Sequence, residues 1–253
     1  MKIFRIIPAL VIAVVALSAA ASEPKVKVNP PDLEKIRKES INEKSRYYYP
    51  RLLKQYMSND TVMQNDDFMY FYYGTLFQED FDPYRPTVDI DKLNEIQALY
   101  YKTEHTHAEE KAMLRYAEEA LQDNPLDIVQ LKNKIYVLQK QRKDNLAKIW
   151  KNKLNHLLYV IASSGTGRSK DSPWVVVYPR HEFDVFNISG MKVLTQEYEF
   201  PHFDHVTVGA ENHAPEEYYF DFGPLLEQYY KKHPSEREPS EDEPSEDEIE
   251  VEE

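Results

Sequence analysis

The sequence predicts an α+β fold in which N-terminal antiparallel helical hairpins, tetratricopeptide-like in character, are followed by a small, mainly antiparallel β-sheet. Two observations predict this class. Apolar residues recur at spacings of three and four over residues 32–163, which is typical of packed helices. Short apolar runs bounded by glycine, proline or asparagine follow over residues 174–233, which is typical of strands. Residues 164–173 form the predicted connector, and we expect the β-rich region to pack on the helices.

Residues 1–21 have the three parts of a cleavable secretory signal peptide. Lys2 and Arg5 supply positive charge, an apolar run follows, and Ala19 and Ala21 supply the small side chains required before the cleavage point. The run is shorter than the roughly 20 apolar residues that span a bilayer, which favours cleavage over a membrane anchor. The sequence therefore predicts an exported protein, periplasmic or extracellular, without a transmembrane segment after cleavage. Residues 22–31 form a polar leader to the fold.

The first part of the helical region contains two distinct segments. Helix-favouring residues extend from Asp32 to Met57, and Pro50 is expected to divide or kink this stretch. Residues 66–77 are apolar nearly all round, so they predict a buried helix or a helix that also lines a groove. Composition favours the core. Residues 78–86 then form a polar loop that contains proline.

Three consecutive helices follow, each with its own start signal. Thr106 and Glu109 fit a capping box for a helix that ends at Asp123. Asn124 and Pro125 fit the cap and the first position of the second helix, and the third begins near Asp144. Short turns predict antiparallel neighbours. No second copy of this unit follows at the period of a tetratricopeptide array, so the pattern does not establish true repeats.

The β-rich region holds five candidate strands, a turn at residues 189–190 and a final short helix at residues 224–232. The candidate strands are residues 174–178, 182–188, 192–200, 205–208 and 218–222. Residues 234–253 repeat acidic residues with proline and serine and contain too little apolar surface to fold. We expect a disordered acidic tail there.

Composition excludes several classes of function. No cysteine is present, so the chain has no disulfide, thiolate metal site or catalytic cysteine. The net charge is −13, and the tail carries most of it. Binding to nucleic acids requires a basic surface that displaces counterions, and the sequence contains no such concentration of charge. Nucleic acids and anionic membrane surfaces are therefore not expected partners.

Several short motifs resemble a Bacteroidota family catalogued as domain of unknown function 4919. The resemblance covers nearly the whole predicted domain, from about Asp32 to Tyr230, but it does not include the acidic tail. It implies a signal-bearing envelope protein of a Gram-negative anaerobe, and it implies no particular reaction. The motifs are Tyr49-Pro50-Arg51-Leu52, Asp60-Thr61, Tyr72-Tyr73-Gly74, Gln78-Glu79-Asp80-Phe81 with Pro83-Tyr84, Ser164-Gly165-Thr166-Gly167 with Pro173, and His181-Glu182.

The most concentrated polar cluster comprises His202, Asp204 and His205. Imidazole and carboxylate groups can bind zinc or transfer protons. In an extended strand, however, His202 and Asp204 share one face while His205 points to the other, so convergence requires a turn at Phe203. The alternative is a set of ordinary polar groups in loops and at strand ends. We therefore predict no metal and no other cofactor.

Nineteen tyrosines are the one compositional excess with a functional meaning. Their rings and polar tips suit binding interfaces, although many are expected in the core. The candidate binding surface lies on the helical side and consists of Tyr72, Tyr73, Tyr84, Tyr100 and Tyr101.

Two classes of function stay open. The first is a non-enzymatic envelope binding or scaffold protein whose candidate partner is another envelope protein. The second is a metal-dependent hydrolase that uses the His202–His205 region. The sequence contains no motif of a nucleophilic hydrolase or a zinc peptidase, which favours the first class. The oligomeric state is not predicted.

Overall fold

A computed structural model describes residues 26–58, 61–85, 90–209 and 214–237. The predicted signal peptide, the first residues of the leader and residues 238–253 of the predicted tail lie outside the described residues. Pro234–Glu236, where the predicted tail begins, forms a short 3₁₀ helix.

Helices dominate the described part of the chain before residue 164. Short connections join the last three of them, and α6 packs between α5 and α7. A 3₁₀ turn, Thr75–Phe77, extends α3. The helices are α1 (Leu33–Ser40), α2 (Tyr49–Met57), α3 (Asn65–Gly74), α4 (Ile90–Tyr100), α5 (His107–Asp123), α6 (Ile128–Lys140) and α7 (Asp144–Ser163).

Local sequence explains most of the helix ends. The predicted helical stretch is divided into α1 and α2. Pro50 lies in the first turn of α2, where its missing N–H disrupts no helical hydrogen bond. The capping box of Thr106 and Glu109 is confirmed at the start of α5. The expected cap of α6 is wrong, because Asp127 accepts from the backbone N–H of Gln130 at 3.0 Å. Asn124 instead closes the preceding turn.

The sheet contains four strands within the described ranges, in the order β1–β4–β3–β2. Strands β2, β3 and β4 pair antiparallel, whereas β1 pairs in parallel with β4. The predicted α+β class is confirmed, and so is the final helix, α9 (Gly223–Lys232). The strands are β1 (Trp174–Val175), β2 (Lys192–Glu199), β3 (Phe203–Gly209) and β4 (Glu216–Asp221).

One predicted strand is wrong. Residues 182–188 lie within helix α8, His181–Ser189. Gly190 ends α8 with a left-handed φ of 77°, a conformation that glycine adopts without steric cost. The helix is buried on several sides, including its polar residues Glu182 and Asp184. The alternating polarity of the segment therefore does not mark an exposed face and a buried face.

A single hydrophobic cluster extends from α1 through the sheet to α9. Helix α3 lies inside this cluster, and the prediction that residues 66–77 belong to the core is confirmed. A smaller cluster joins α4, α5 and α6. Among the helices of the described ranges, none combines the length and apolar content needed to cross a membrane.

Candidate functional site

The start of α8 directs adjacent polar side chains into three different surroundings. His181 points into the helical core, Glu182 points toward the sheet, and Arg180 lies at a surface cleft. The three surroundings differ in the hydrogen-bond partners that they offer.

His181 is part of a completed hydrogen-bond network. The Tyr72 hydroxyl donates to His181 Nδ1 at 2.7 Å, and His181 Nε2 lies 3.1 Å from the carbonyl oxygen of Leu126. A carbonyl only accepts, so Nε2 carries the proton and Nδ1 accepts. Burial lowers the pKa of His181 to about 3, which keeps the ring neutral. The Val177 N–H donates to the Tyr72 oxygen at 3.3 Å, and this network links α3, the α5–α6 turn and α8.

The five candidate surface tyrosines do not form one surface. Tyr72 and Tyr73 are 0% and 1% exposed, because α3 is surrounded by the core. Tyr84 is half-exposed and its ring lies edge-on to Tyr229 of α9. Tyr100 donates to the side chain of Gln130 in α6, and Tyr101 is 81% exposed at the end of α4.

The three candidate metal ligands also lie apart. Phe203 is the first residue of β3, so the turn needed for convergence does not form. Asp204 faces the buried side of the sheet, whereas His205 lies on the other face and stacks on Tyr219 with 4.5 Å between ring centroids. His202 Nε2 lies 3.5 Å from Asp221 Oδ1. Within the described ranges, no group of three histidine or acidic side chains could hold a metal ion.

Glu182 and Asp204 form a buried carboxyl pair beneath the edge strand β2. They are 1% and 2% exposed. Gln196 Nε2 donates to Glu182 Oε1 at 2.9 Å and to Asp204 Oδ2 at 2.5 Å. Burial, with a further contribution from Asp204, raises the pKa of Glu182 to about 9. Glu182 therefore keeps its proton at neutral pH, and its Oε2 atom is buried without a hydrogen-bond partner among the described residues.

A polar cleft of about 80 Å³ opens beside the start of α8. The 78–85 loop forms one wall, and the α5–α6 turn and the segment that precedes α8 form the others. Three aromatic rings and six charged side chains line it, so aromatic surface and charge meet in one concavity. The rings belong to Tyr49, Phe81 and Tyr178, and the charged side chains belong to Asp80, Asp82, Arg85, Asp123, Asp127 and Arg180.

A partly buried ion pair lies at the rear of the cleft. Arg180 approaches Asp127 with both terminal nitrogens, each 3.2 Å from a different carboxylate oxygen. The Arg180 Nε atom lies 3.5 Å from Asp184 Oδ2. Burial raises the pKa of Asp184 to about 6, although Arg180 opposes that shift. Because Asp127 also caps α6, the position of Arg180 is tied to the start of that helix.

A second ion pair lies at the rim. Arg85 Nη2 is 2.9 Å from Asp123 Oδ2 and also donates to the Asp123 carbonyl at 3.2 Å. Both side chains are partly exposed, so solvent weakens this pair.

The rings of Tyr49, Phe81 and Tyr178 are called the aromatic wall of the cleft. Its two tyrosine hydroxyls keep their protons. Thr75 donates to the Tyr49 hydroxyl oxygen at 3.2 Å. Burial raises the pKa of Tyr49 to about 12 and that of Tyr178 still higher, so both phenols stay neutral. The loop beside them is held to α9, because Lys232 Nζ donates to the carbonyls of Glu79 and Phe81, each at 2.6 Å.

Fold and site together define an α+β protein with a main hydrophobic core, a mixed sheet and a polar cleft beside the start of α8. A family model described as domain of unknown function (DUF4919) matches residues 34–231, from α1 to α9. The chain belongs to this family, which confirms the resemblance seen in its short motifs. No curated protein and no solved structure matches the chain significantly.

Two of the motifs that carry the resemblance meet at the cleft. Tyr49, Gln78 and Phe81 are separated in sequence but line the same concavity. Asp127 and Arg180 were not among the candidate site residues. The position of Arg180 directly before the His181-Glu182 motif is a local signal that could have indicated it.

Proposed function

We propose that this protein is an exported, non-enzymatic binding protein of the cell envelope and that the cleft beside α8 is its ligand site. The construction of the cleft carries the proposal. Aromatic rings and charged groups converge on one concavity, and the ion pair between Arg180 and the buried Asp127 supports its rear wall. The ligand is a small solute or a side chain of another envelope protein.

The lining favours recognition over catalysis. The described lining residues include no histidine, lysine or serine, and both arginines already pair with carboxylates. Nucleophilic catalysis requires a nucleophile next to a base, and the lining supplies no such pair. The alternative of a metal-dependent hydrolase gains no support from His202, Asp204 and His205, since these side chains lie on different faces of the sheet.

Export rests on residues 1–21, and it can be tested separately from binding. We expect cells that produce the full chain to deliver it to the envelope or the medium. N-terminal sequencing of the recovered protein should begin at Ser22, because Ala19 and Ala21 fit the cleavage site. Recovery from the cytosol with Met1 intact would contradict export.

The binding site is tested by filling the cleft with a large side chain. Asp80 and its neighbour Glu79 are both exposed, but only Asp80 lines the cleft. We expect compounds from a library of small polar solutes to bind the exported protein and the control Glu79→Trp but not Asp80→Trp, as detected by ligand-observed NMR. If no compound binds, or if Asp80→Trp binds as well as the control, the cleft is not the ligand site.

A further inference from the structure

We propose that the cleft recognises an organic cation, namely an alkylammonium or guanidinium group. This inference rests on the proposed function and specifies the ligand class of the same site. It follows from three features of the cleft: the balance of charge, the way in which the two arginines are already paired, and the aromatic wall.

The charges that line the cleft are predominantly negative. Four carboxylates face two guanidinium groups. Among the described residues, Asp80 has no ion-pair partner, and Asp82 accepts only a backbone hydrogen bond, from Tyr84. A low-dielectric concavity with excess negative charge attracts cations.

The arginines are engaged and do not create an anion site. Arg180 donates to Asp127 with both terminal nitrogens and lies within ion-pair distance of Asp184, so two buried carboxylates already oppose its charge. Arg85 pairs with Asp123 at the rim through both the carboxylate and the carbonyl. An incoming anion would have to displace these carboxylates, whereas an incoming cation meets Asp80 directly.

The aromatic wall suits the same ligand. Phe81 and Tyr178 lie with 5.9 Å between ring centroids, and the Tyr49 ring lines the same space. Ammonium and guanidinium groups bind favourably to aromatic faces, especially where water is partly excluded. The volume of about 80 Å³ accommodates the head group of a ligand rather than a whole large molecule.

Matched probes of opposite charge test the proposal. Butylammonium and butyrate have nearly the same size, and their binding to the exported protein can be followed by NMR titration. We expect butylammonium to bind and butyrate not to bind. We also expect Asp80→Asn to weaken butylammonium binding about threefold to fivefold, as for a partly exposed ion pair, while the neighbouring control Glu79→Gln has no effect.

Removal of Arg85 distinguishes a cation site from an anion site, because the two predict opposite changes in ligand affinity. Arg85→Ala removes a positive charge from the rim and frees Asp123, so we expect it to strengthen butylammonium binding about twofold. An anion site would show the opposite, a weaker affinity for butyrate. Arg115→Ala is the control, since Arg115 is exposed on α5 and does not line the cleft.

The outcomes separate the two proposals. Binding of butyrate without butylammonium, or weaker butylammonium binding in Arg85→Ala, overturns the cation class but retains the cleft as a site. If neither these probes nor any compound from the library of small polar solutes binds, both proposals are overturned. The peptide Gly-Gly-Lys-Gly-Gly distinguishes the sources of the cation. Tighter binding of the peptide than of butylammonium supports a protein side chain, and equal binding supports a small amine.

Discussion

The two sides of the first turn of α8 differ in how completely they satisfy buried polar atoms. On the helical side, Tyr72 and the Leu126 carbonyl occupy both ring nitrogens of His181. On the sheet side, Glu182 shares one amide with Asp204 and leaves an oxygen without a described partner. Burial of neighbouring residues therefore has opposite effects on stability. The hydrogen bonds of His181 stabilise the fold, whereas burial of Glu182 beside Asp204 costs free energy at neutral pH.

The same comparison predicts opposite pH limits. The pKa of His181 is lower in the folded chain than in the unfolded chain. Its contribution to the free energy of unfolding is therefore complete above about pH 6.5 and is lost as pH falls toward 3. The pKa of Glu182 is higher in the folded chain, so its contribution is complete below about pH 4.3 and is lost as pH rises toward 9. Adjacent residues therefore limit stability from the acid and the alkaline side.

The largest expected effect is a loss of stability in His181→Leu. The substitution leaves the Tyr72 hydroxyl and the Leu126 carbonyl without their buried partner, and we expect the free energy of unfolding to fall by about 3 kcal/mol. Urea denaturation at pH 7 measures the change. His202→Leu serves as the control, because the side chain of His202 is 34% exposed and its replacement should change stability little. Equal losses in both variants would show that the network has no special role.

A smaller effect of opposite sign is expected for Glu182→Gln. The amide resembles the protonated carboxyl group but does not titrate. We expect the variant to be about 2 kcal/mol more stable than the wild type at pH 6 and nearly equally stable at pH 4. The exposed Glu197→Gln is the control. A difference that is the same at both pH values would contradict a proton held on Glu182.

The smallest effect concerns the amide that covers the carboxyl pair. Gln196→Met removes the donor to both carboxyl groups and keeps the length of the side chain. We expect a loss of about 1 kcal/mol in thermal or chemical unfolding, the net worth of such hydrogen bonds. Thr195→Val, at the exposed adjacent position, should be nearly neutral. A neutral result for Gln196→Met would mean that solvent replaces the amide.

Sequence was informative where local signals agreed, and it failed where burial came from distant contacts. The capping box at Thr106 and the apolar spacing of α5 and α7 needed no tertiary knowledge. Over residues 182–188 the apolar positions fit a strand as well as a helix, because a segment of that length is too short to distinguish the two periods. The long-range contacts that bury its polar residues are not encoded locally.

The candidate site shows the same limit. Asp80 and Phe81 belong to one of the short motifs by which the sequence resembles its family. Their meeting with Asp127 and Arg180 depends on how the α5–α6 turn packs beside α8, which a single sequence does not reveal. The excess of tyrosine suggested Tyr72 and Tyr73 as part of a binding surface, yet the packing around α3 places both in the core.

The tether between Lys232 and the 79–81 loop has a consequence for biosynthesis. Lys232 follows the loop by about 150 residues, yet its two hydrogen bonds hold the loop in place. A chain that emerges from a ribosome or a translocation channel from its N-terminus therefore completes this wall of the cleft only when its last helix has arrived. Under the proposed function, ligand binding therefore requires the finished chain, and a protease that removes α9 would release the loop.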